Sequence, residues 1–263
     1  SKRYLVAKNE EAYRDVFTIH YPDEERHDAR PAKTSPVYDK LRRLGAVFGQ
    51  RYGWERANWF APEGVEPKDV WSFRRTNYFE HVGNECRRLR EKVGVIDLTP
   101  FTKFEVTGPG AEGWLDSLVA NKVPTKVGRI ALCHALTQRG GIRSEFTITK
   151  LADHHYYVVS AGAAERYDSD FLQKKLPTDG SVTLRNIPGS RGVFVLAGPR
   201  ARDVLAKLTE VPLDNASFPW LTGQVIEAGL ATDVYALRVN FVGALGWELH
   251  FPIEYAHGLF DAI

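Results

Sequence analysis

The sequence predicts an α+β fold in which one strand–turn–helix unit is used twice. Three observations predict it. A Gly-Pro-x-Ala turn occurs at Gly108-Pro109-Gly110-Ala111 and again at Gly198-Pro199-Arg200-Ala201, every residue shifted by 90 (108 to 198, 111 to 201). An apolar stripe at spacings of three and four, Phe79, Val82, Cys86, Leu89 and Val93, marks an amphipathic helix. Alternating stretches over 129–137 and 142–150 flank Gly140-Gly141, which is the signal of a hairpin.

Taken in order, residues 1–76 form an irregular segment interrupted by Pro22, Pro31, Pro36, Pro62 and Pro67. Short helices are expected over 10–17 and 35–48, the second ending near Gly49 or Gly53. Trp54, Trp59, Phe60, Trp71 and Phe73 follow, an aromatic density that implies packing onto a neighbouring surface. A second region, 77–263, opens with the helix over 79–93, where Gly94 suits the position after the last turn. A strand over 103–107 leads through the first Gly-Pro turn into a helix carrying Trp114, Leu115 and Leu118. Proline in the first helical turn fits there, because its missing N–H would have no partner anyway. After the hairpin come a strand over 155–160 and a helix over 163–176. The second unit then repeats the pattern, with Leu205 and Leu208 matching Leu115 and Leu118. Allowing a gap, the stretch from Gly141 to Ile148 with Glu145 also aligns with that from Gly243 to Phe251 with Glu248.

With 263 residues, 43% of them hydrophobic, the chain can bury one large core or a core plus an accessory domain. A formal net charge of +2 gives no electrostatic case for nucleic acid or a membrane surface. The Arg pairs at 42–43, 74–75 and 87–88 are scattered and suit a solvated face. Cys86 and Cys133 have no metal-ligand spacing and point to a reducing compartment, with no metal site expected. No apolar run approaches the ~18 residues of a membrane span, and no charged-then-apolar leader opens the sequence. The lack of Met and a helical pattern still running at Phe260-Asp261-Ala262-Ile263 suggest a piece of something longer.

Gly108-Pro109-Gly110-Ala111-Glu112-Gly113 matches G-x-G-x-x-G between a strand and a helix. No Asp or Glu lies between Asp116 and Glu145, so the ribose-binding acid expected about 20 residues after such a motif is missing. The repeat carries Arg200 and Asp203 where the second and third glycines would stand, so the turn is structural. No nucleophile elbow, Walker loop or H-E-x-x-H occurs. Glu145 stands out. Alternation puts Ile142, Phe146 and Ile148 on one face of its strand, and Arg143, Glu145 and Thr147 on the other. A carboxylate beside a double glycine can orient an amine or relay its proton. It can equally be a solvated group paired with Arg143.

The runs Tyr78-Phe79-Glu80-His81-Val82 and Val95-Ile96-Asp97-Leu98-Thr99-Pro100-Phe101-Thr102-Lys103-Phe104 resemble the opening of the folate-binding aminomethyltransferase fold. Gly141-Ile142-Arg143-Ser144-Glu145, Leu196-Ala197-Gly198-Pro199 and Val242-Gly243-Ala244-Leu245-Gly246-Trp247-Glu248-Leu249 are similar to it too. That fold occurs in the glycine cleavage system and in the C-terminal half of dimethylglycine and sarcosine dehydrogenases. Gly45-Ala46-Val47-Phe48-Gly49 and Gly53-Trp54-Glu55-Arg56-Ala57-Asn58-Trp59-Phe60 resemble the central segment joining flavin and folate domains in those dehydrogenases. The resemblance implies a pseudo-symmetric fold and a cytoplasmic oxidoreductase (in the mitochondrial matrix if eukaryotic). Its N-terminal flavin domain, outside this chain and carrying FAD, would demethylate a small N-methyl amine. The present region would capture the one-carbon unit on tetrahydrofolate, giving 5,10-methylenetetrahydrofolate. It further implies Glu145 as the catalytic carboxylate, with Gly141, Arg238, Phe241, Trp247 and Glu248 around the folate. Two positions depart from the pattern. Ala244 replaces the glutamate that grips the pterin edge, and Leu237 replaces an aromatic. A non-catalytic regulatory paralogue and a stand-alone folate-dependent aminomethyltransferase are the alternatives, the first suggested by Ala244.

Overall fold

The structure, a computed structural model, describes residues 1–239 and 243–263, which fall into two units, Ser1–Glu91 and Lys92–Ile263. The first contains helix α1 (Lys2–Arg14), helix α2 (Tyr38–Arg43), strands β1 (Ala46–Arg51) and β2 (Trp54–Phe60), and helix α3 (Phe79–Glu91). The helix expected over 35–48 stops at Arg43, and its second half is a strand. Gly45 is the reason: it sits at φ +89°, and a Cβ there would lie 2.3 Å from the carbonyl oxygen of Ala61. The chain therefore turns, and Val47 and Phe48, residues that suit a pleated surface, pair with β2. Tyr52 and Gly53, both at positive φ, close the two-residue hairpin. The helix expected over 10–17 lies earlier, as α1, capped by the Ser1 hydroxyl.

Trp59 is the centre of this unit. It is 1% exposed, stacks on His81 at 5.4 Å between ring centroids, and donates its indole N–H to Asp69 at 2.8 Å. Glu85 of α3 accepts the backbone N–H of Phe60 at 2.8 Å, so α3 groups with this hairpin. The compact division thus falls after Glu91, downstream of the 76/77 position read from the pattern.

The second unit runs β3 (Gly94–Asp97), β4 (Thr102–Thr107), α4 (Ala111–Leu118), β5 (Ile130–Leu136), β6 (Ile142–Ala152), β7 (His155–Ser160), α5 (Glu165–Lys174) and β8 (Thr183–Asn186). It continues with β9 (Arg191–Ala197), α6 (Ala201–Leu205), β10 (Gly223–Ala228), β11 (Ala231–Leu237), β12 (Gly246–Pro252) and α7 (Ala256–Ala262). Two five-stranded sheets have the orders β5-β6-β7-β4-β8 and β10-β11-β12-β9-β3. By place in these orders β6 stands where β11 does, whereas the alignment of 141–148 with 243–251 sets it against β12, one strand along. That slip follows from matching glycines, which recur at turns of any kind.

On one side of the first sheet, Phe104, Phe146, Ile148, Tyr156 and Val158 bury against Trp114 and Leu115 of α4 and Leu172 of α5. Burying an aliphatic or aromatic side chain of this size contributes about 1.5–3 kcal/mol. The other face, through Ile130, Tyr157 and Val159, meets Tyr235 and Leu237 of the second sheet. Bridging Gly128, Lys150 and Gly223 join the sheets through backbone hydrogen bonds of 2.7–2.8 Å. Both Gly-Pro turns are structural. Gly108 and Gly198 sit at φ +115° and +125°, and the N–H groups of Gly108 and Gly110 donate to the carbonyls of His154 and Ser181 at 2.9 and 3.0 Å. With those donors already engaged, the turn has no free cradle for a pyrophosphate. Among the described residues no helix is long and apolar enough to cross a membrane.

Candidate functional site

Glu145 lies on β6, where the register pairs it with His134 of β5. The pairing of Ile130 with Thr149 and of Thr149 with Tyr157 puts Glu145, His134, Thr147 and Tyr157 on one face, the face that meets the other sheet. At the Tyr157 end that face is closed. At the Glu145 end it is open: the Glu145 side chain is 52% exposed, and Leu132 beside it is also exposed. Oε2 of Glu145 is 3.0 Å from Nε2 of His134.

Pairing with Arg143 does not occur. Arg143 spreads over the rings of Tyr167 and Phe171 of α5, at 4.6 and 4.4 Å from their centroids, a cation–π arrangement. The alternation also shifts at the strand's start. A register irregularity between Ala135 and Leu136 leaves Ile142 exposed, and Ser144 takes the inward place ahead of Phe146 and Ile148. Ser144 donates to Asp168 of α5 at 2.6 Å. Gly141 is part of the turn itself, its N–H held by the Thr137 hydroxyl at 3.1 Å.

The remaining residues expected around a folate lie elsewhere in the unit. Glu248 is 2% exposed and faces the sheet interface from β12. Its Oε2 lies 3.0 Å from Nε2 of His250, whose Nδ1 lies 3.0 Å from the Tyr157 hydroxyl. A neutral imidazole satisfies this chain, with Tyr157 donating to Nδ1 and Nε2–H donating to the carboxylate. Burial lowers the His250 pKa, against the opposing pull of Glu248, and burial raises that of Tyr157 well above a normal phenol. Nearby, Lys103 is fully buried, and its ammonium donates to the carbonyls of Thr99 and Arg191 at 2.8 Å each. Burial pulls its pKa down to about 7.

Arg238 and Trp247 form a third group, on the opposite side of β12 from Glu248. The Arg238 guanidinium sits 5.6 Å from the Trp247 ring and donates to Phe218 O and, at 2.7 Å, to Asn215 Oδ1. Trp247 is fully buried and packs edge-on against Phe218. Among the described residues its indole N–H and the Arg238 Nε–H have no hydrogen-bond partner. Phe241 lies outside the described residues. Ala244, where the resemblance implies a glutamate, stands half-buried.

The sequence reading missed His134 and the Tyr157–His250–Glu248 chain. Summing the register gives the signal for the first, since 134 and 145 are opposite only once the irregularity after Ala135 is counted. Tyr157 and His250 come from different sheets, and no local pattern links them.

Residues 37–263 match the family described as the GCVT N-terminal domain, and residues 1–35 match the FAD dependent oxidoreductase central domain. Human mitochondrial dimethylglycine dehydrogenase is 35% identical over 99% of this chain, which covers 30% of that protein. The 4-methylaminobutanoate oxidase (formaldehyde-forming) of Paenarthrobacter nicotinovorans is 29% identical over 100% of the chain and 32% of its own length. The chain thus spans about a third of these curated relatives. The crystal structure of the glycine cleavage system aminomethyltransferase T of Bartonella henselae shares the fold. Its TM-score is 0.71 at 22% identity, covering 88% of this chain and 56% of that one. The chain belongs to the GCVT N-terminal domain family, joined to part of an FAD dependent oxidoreductase central domain in the manner of the dimethylglycine and sarcosine dehydrogenases.

Proposed function

We propose that this chain is the folate-handling portion of a flavin-dependent N-methyl amine dehydrogenase or oxidase. On this reading a one-carbon unit from a dimethylglycine- or sarcosine-like amine is captured on tetrahydrofolate as 5,10-methylenetetrahydrofolate. The observation that carries the reading is Glu145. It is the half-exposed carboxylate at the open end of the face between the two sheets, and its Oε1 has no protein partner among the described residues. Tetrahydrofolate supplies the nucleophilic nitrogens when bound, and those nitrogens bear N–H groups. A carboxylate with one free acceptor oxygen fits that donor set. Glu145 would orient the N–H and take up the proton released, which is general-base work. The Gly141 turn sets where β6 begins. Arg238 and Trp247, buried on the far side of β12 from that face, would support the strand rather than touch the ligand. Glu248 would act from behind, by holding His250 and Tyr157. FAD, the amine substrate and the flavin domain that oxidises it belong to the whole protein rather than to these residues.

Supply of dimethylglycine or sarcosine to the full-length protein, with and without tetrahydrofolate, tests the reading. Wild type should yield 5,10-methylenetetrahydrofolate in place of free formaldehyde, and Glu145→Gln should return the product to formaldehyde. Formaldehyde alone in both proteins would reject it. Ala244 favours a second reading, a paralogue of regulatory role that no longer holds folate. It requires that no tetrahydrofolate bind at all.

A further inference from the structure

The partners of His134 hold its ring from both sides. The Asn121 Oδ1 accepts the backbone N–H of His134 at 3.0 Å, so the oxygen of that amide, and not its nitrogen, faces the residue. The same Oδ1 is 3.3 Å from Nδ1 of the His134 ring, so Asn121 sits against both the backbone and the ring of His134. Nε2 meets Oε2 of Glu145 at 3.0 Å, the geometry of an Nε2–H donating to the carboxylate. The His134 and Glu145 side chains are 28% and 52% exposed, so their contact contributes little to folding.

We infer that His134 is a positioning residue for Glu145: Asn121 fixes its ring, one shared proton ties Oε2, and Oε1 alone is presented to an N–H-bearing ligand on the inter-sheet face. The inference takes its link to folate from the function proposed above, while the geometry of the pair is independent of it. A carboxylate so tied has one acceptor direction instead of two, which narrows the poses in which a ligand nitrogen meets it.

Two measurements on the full-length protein separate this inference from the folate reading. The first is carbethoxylation of His134 by diethylpyrocarbonate in the ligand-free protein, followed by peptide mass spectrometry with the exposed His154 as internal reference. The reagent needs a free imidazole lone pair. The rate at His134 should rise roughly fivefold in Glu145→Gln, which at nearly constant shape removes the anionic acceptor that holds the proton on Nε2, and also in Asn121→Ala. Equal rates in all three proteins overturn the inference whatever folate does. The second is a split between tetrahydrofolate affinity and transfer rate. His134→Gln should lower the rate of methylenetetrahydrofolate formation about tenfold, with the dissociation constant changed less than about twofold. A parallel loss in both would also overturn it, since that is the mark of a merely structural residue. If wild type binds no tetrahydrofolate yet His134 reactivity responds to Glu145→Gln, the pair stands and the folate reading falls.

Discussion

Two glutamates in the same unit show how position decides what a carboxylate is for. Glu145 is half exposed with one oxygen committed, and Glu248 is sealed beneath His250 and Tyr157. Removing each should give opposite results. Glu145→Ala is expected to cost well under 1 kcal/mol of stability, because exposed pairs contribute little. Glu248→Ala strands the Nε2–H of a fully buried histidine and is expected to cost about 3 kcal/mol. Urea-unfolding midpoints of the two variants check the contrast, and equal losses would refute it. Lys103 gives a prediction about pH. Its pKa falls from 10.5 to about 7 on folding, so the unfolded chain binds more protons than the folded one between those values. Stability should therefore rise as pH increases from about 7 toward 10. The lowered pKa of His250 adds a loss in the same direction on acidification below about 6.5. Lys103→Met should flatten the alkaline rise in urea midpoint between pH 7 and 9, and an unchanged slope would assign it to other groups.

At the level of elements, the glycines of the turns differ in what they must do. A Cβ at Gly108 would lie 2.3 Å from the Ser181 carbonyl in a backbone at φ +115°, so Gly108→Ala should cost at least about 2 kcal/mol. Gly140, at φ +80° with open space around it, should lose only about 1 kcal/mol on the same change. Thermal unfolding of the pair checks the order. These turns, β7, α4 and α5 were legible in the sequence because their pattern is local: glycine and proline at the bend, apolar residues at the right period. The β1–β2 hairpin was not, since the reason for it is the carbonyl of Ala61 against Gly45, a contact formed only on folding. The site was legible in part for the same cause. Glu145 is marked by the glycines beside it, whereas His134 becomes its neighbour through a register irregularity that alternation does not reveal.

On the scale of the whole molecule, the sheet–sheet face closed at the Tyr157 end and open at the Glu145 end lies within the Lys92–Ile263 unit, so the proposed chemistry would belong to that unit. The Ser1–Glu91 unit has its own small core around Trp59, which falls within the GCVT match, and only its residues 1–35 match the oxidoreductase central domain. The departure at Ala244 bears on the whole account, because a carboxylate there would pair with ring donors that alanine leaves to other groups. Restoring it by Ala244→Glu should tighten tetrahydrofolate by about tenfold, the value of one charge-assisted contact. The most direct measurement is calorimetric titration of the full-length protein with tetrahydrofolate. The account predicts saturable heat at or below high-micromolar ligand in wild type, tighter binding in Ala244→Glu and weaker binding in Glu145→Ala. Absence of heat in both wild type and Ala244→Glu would contradict it.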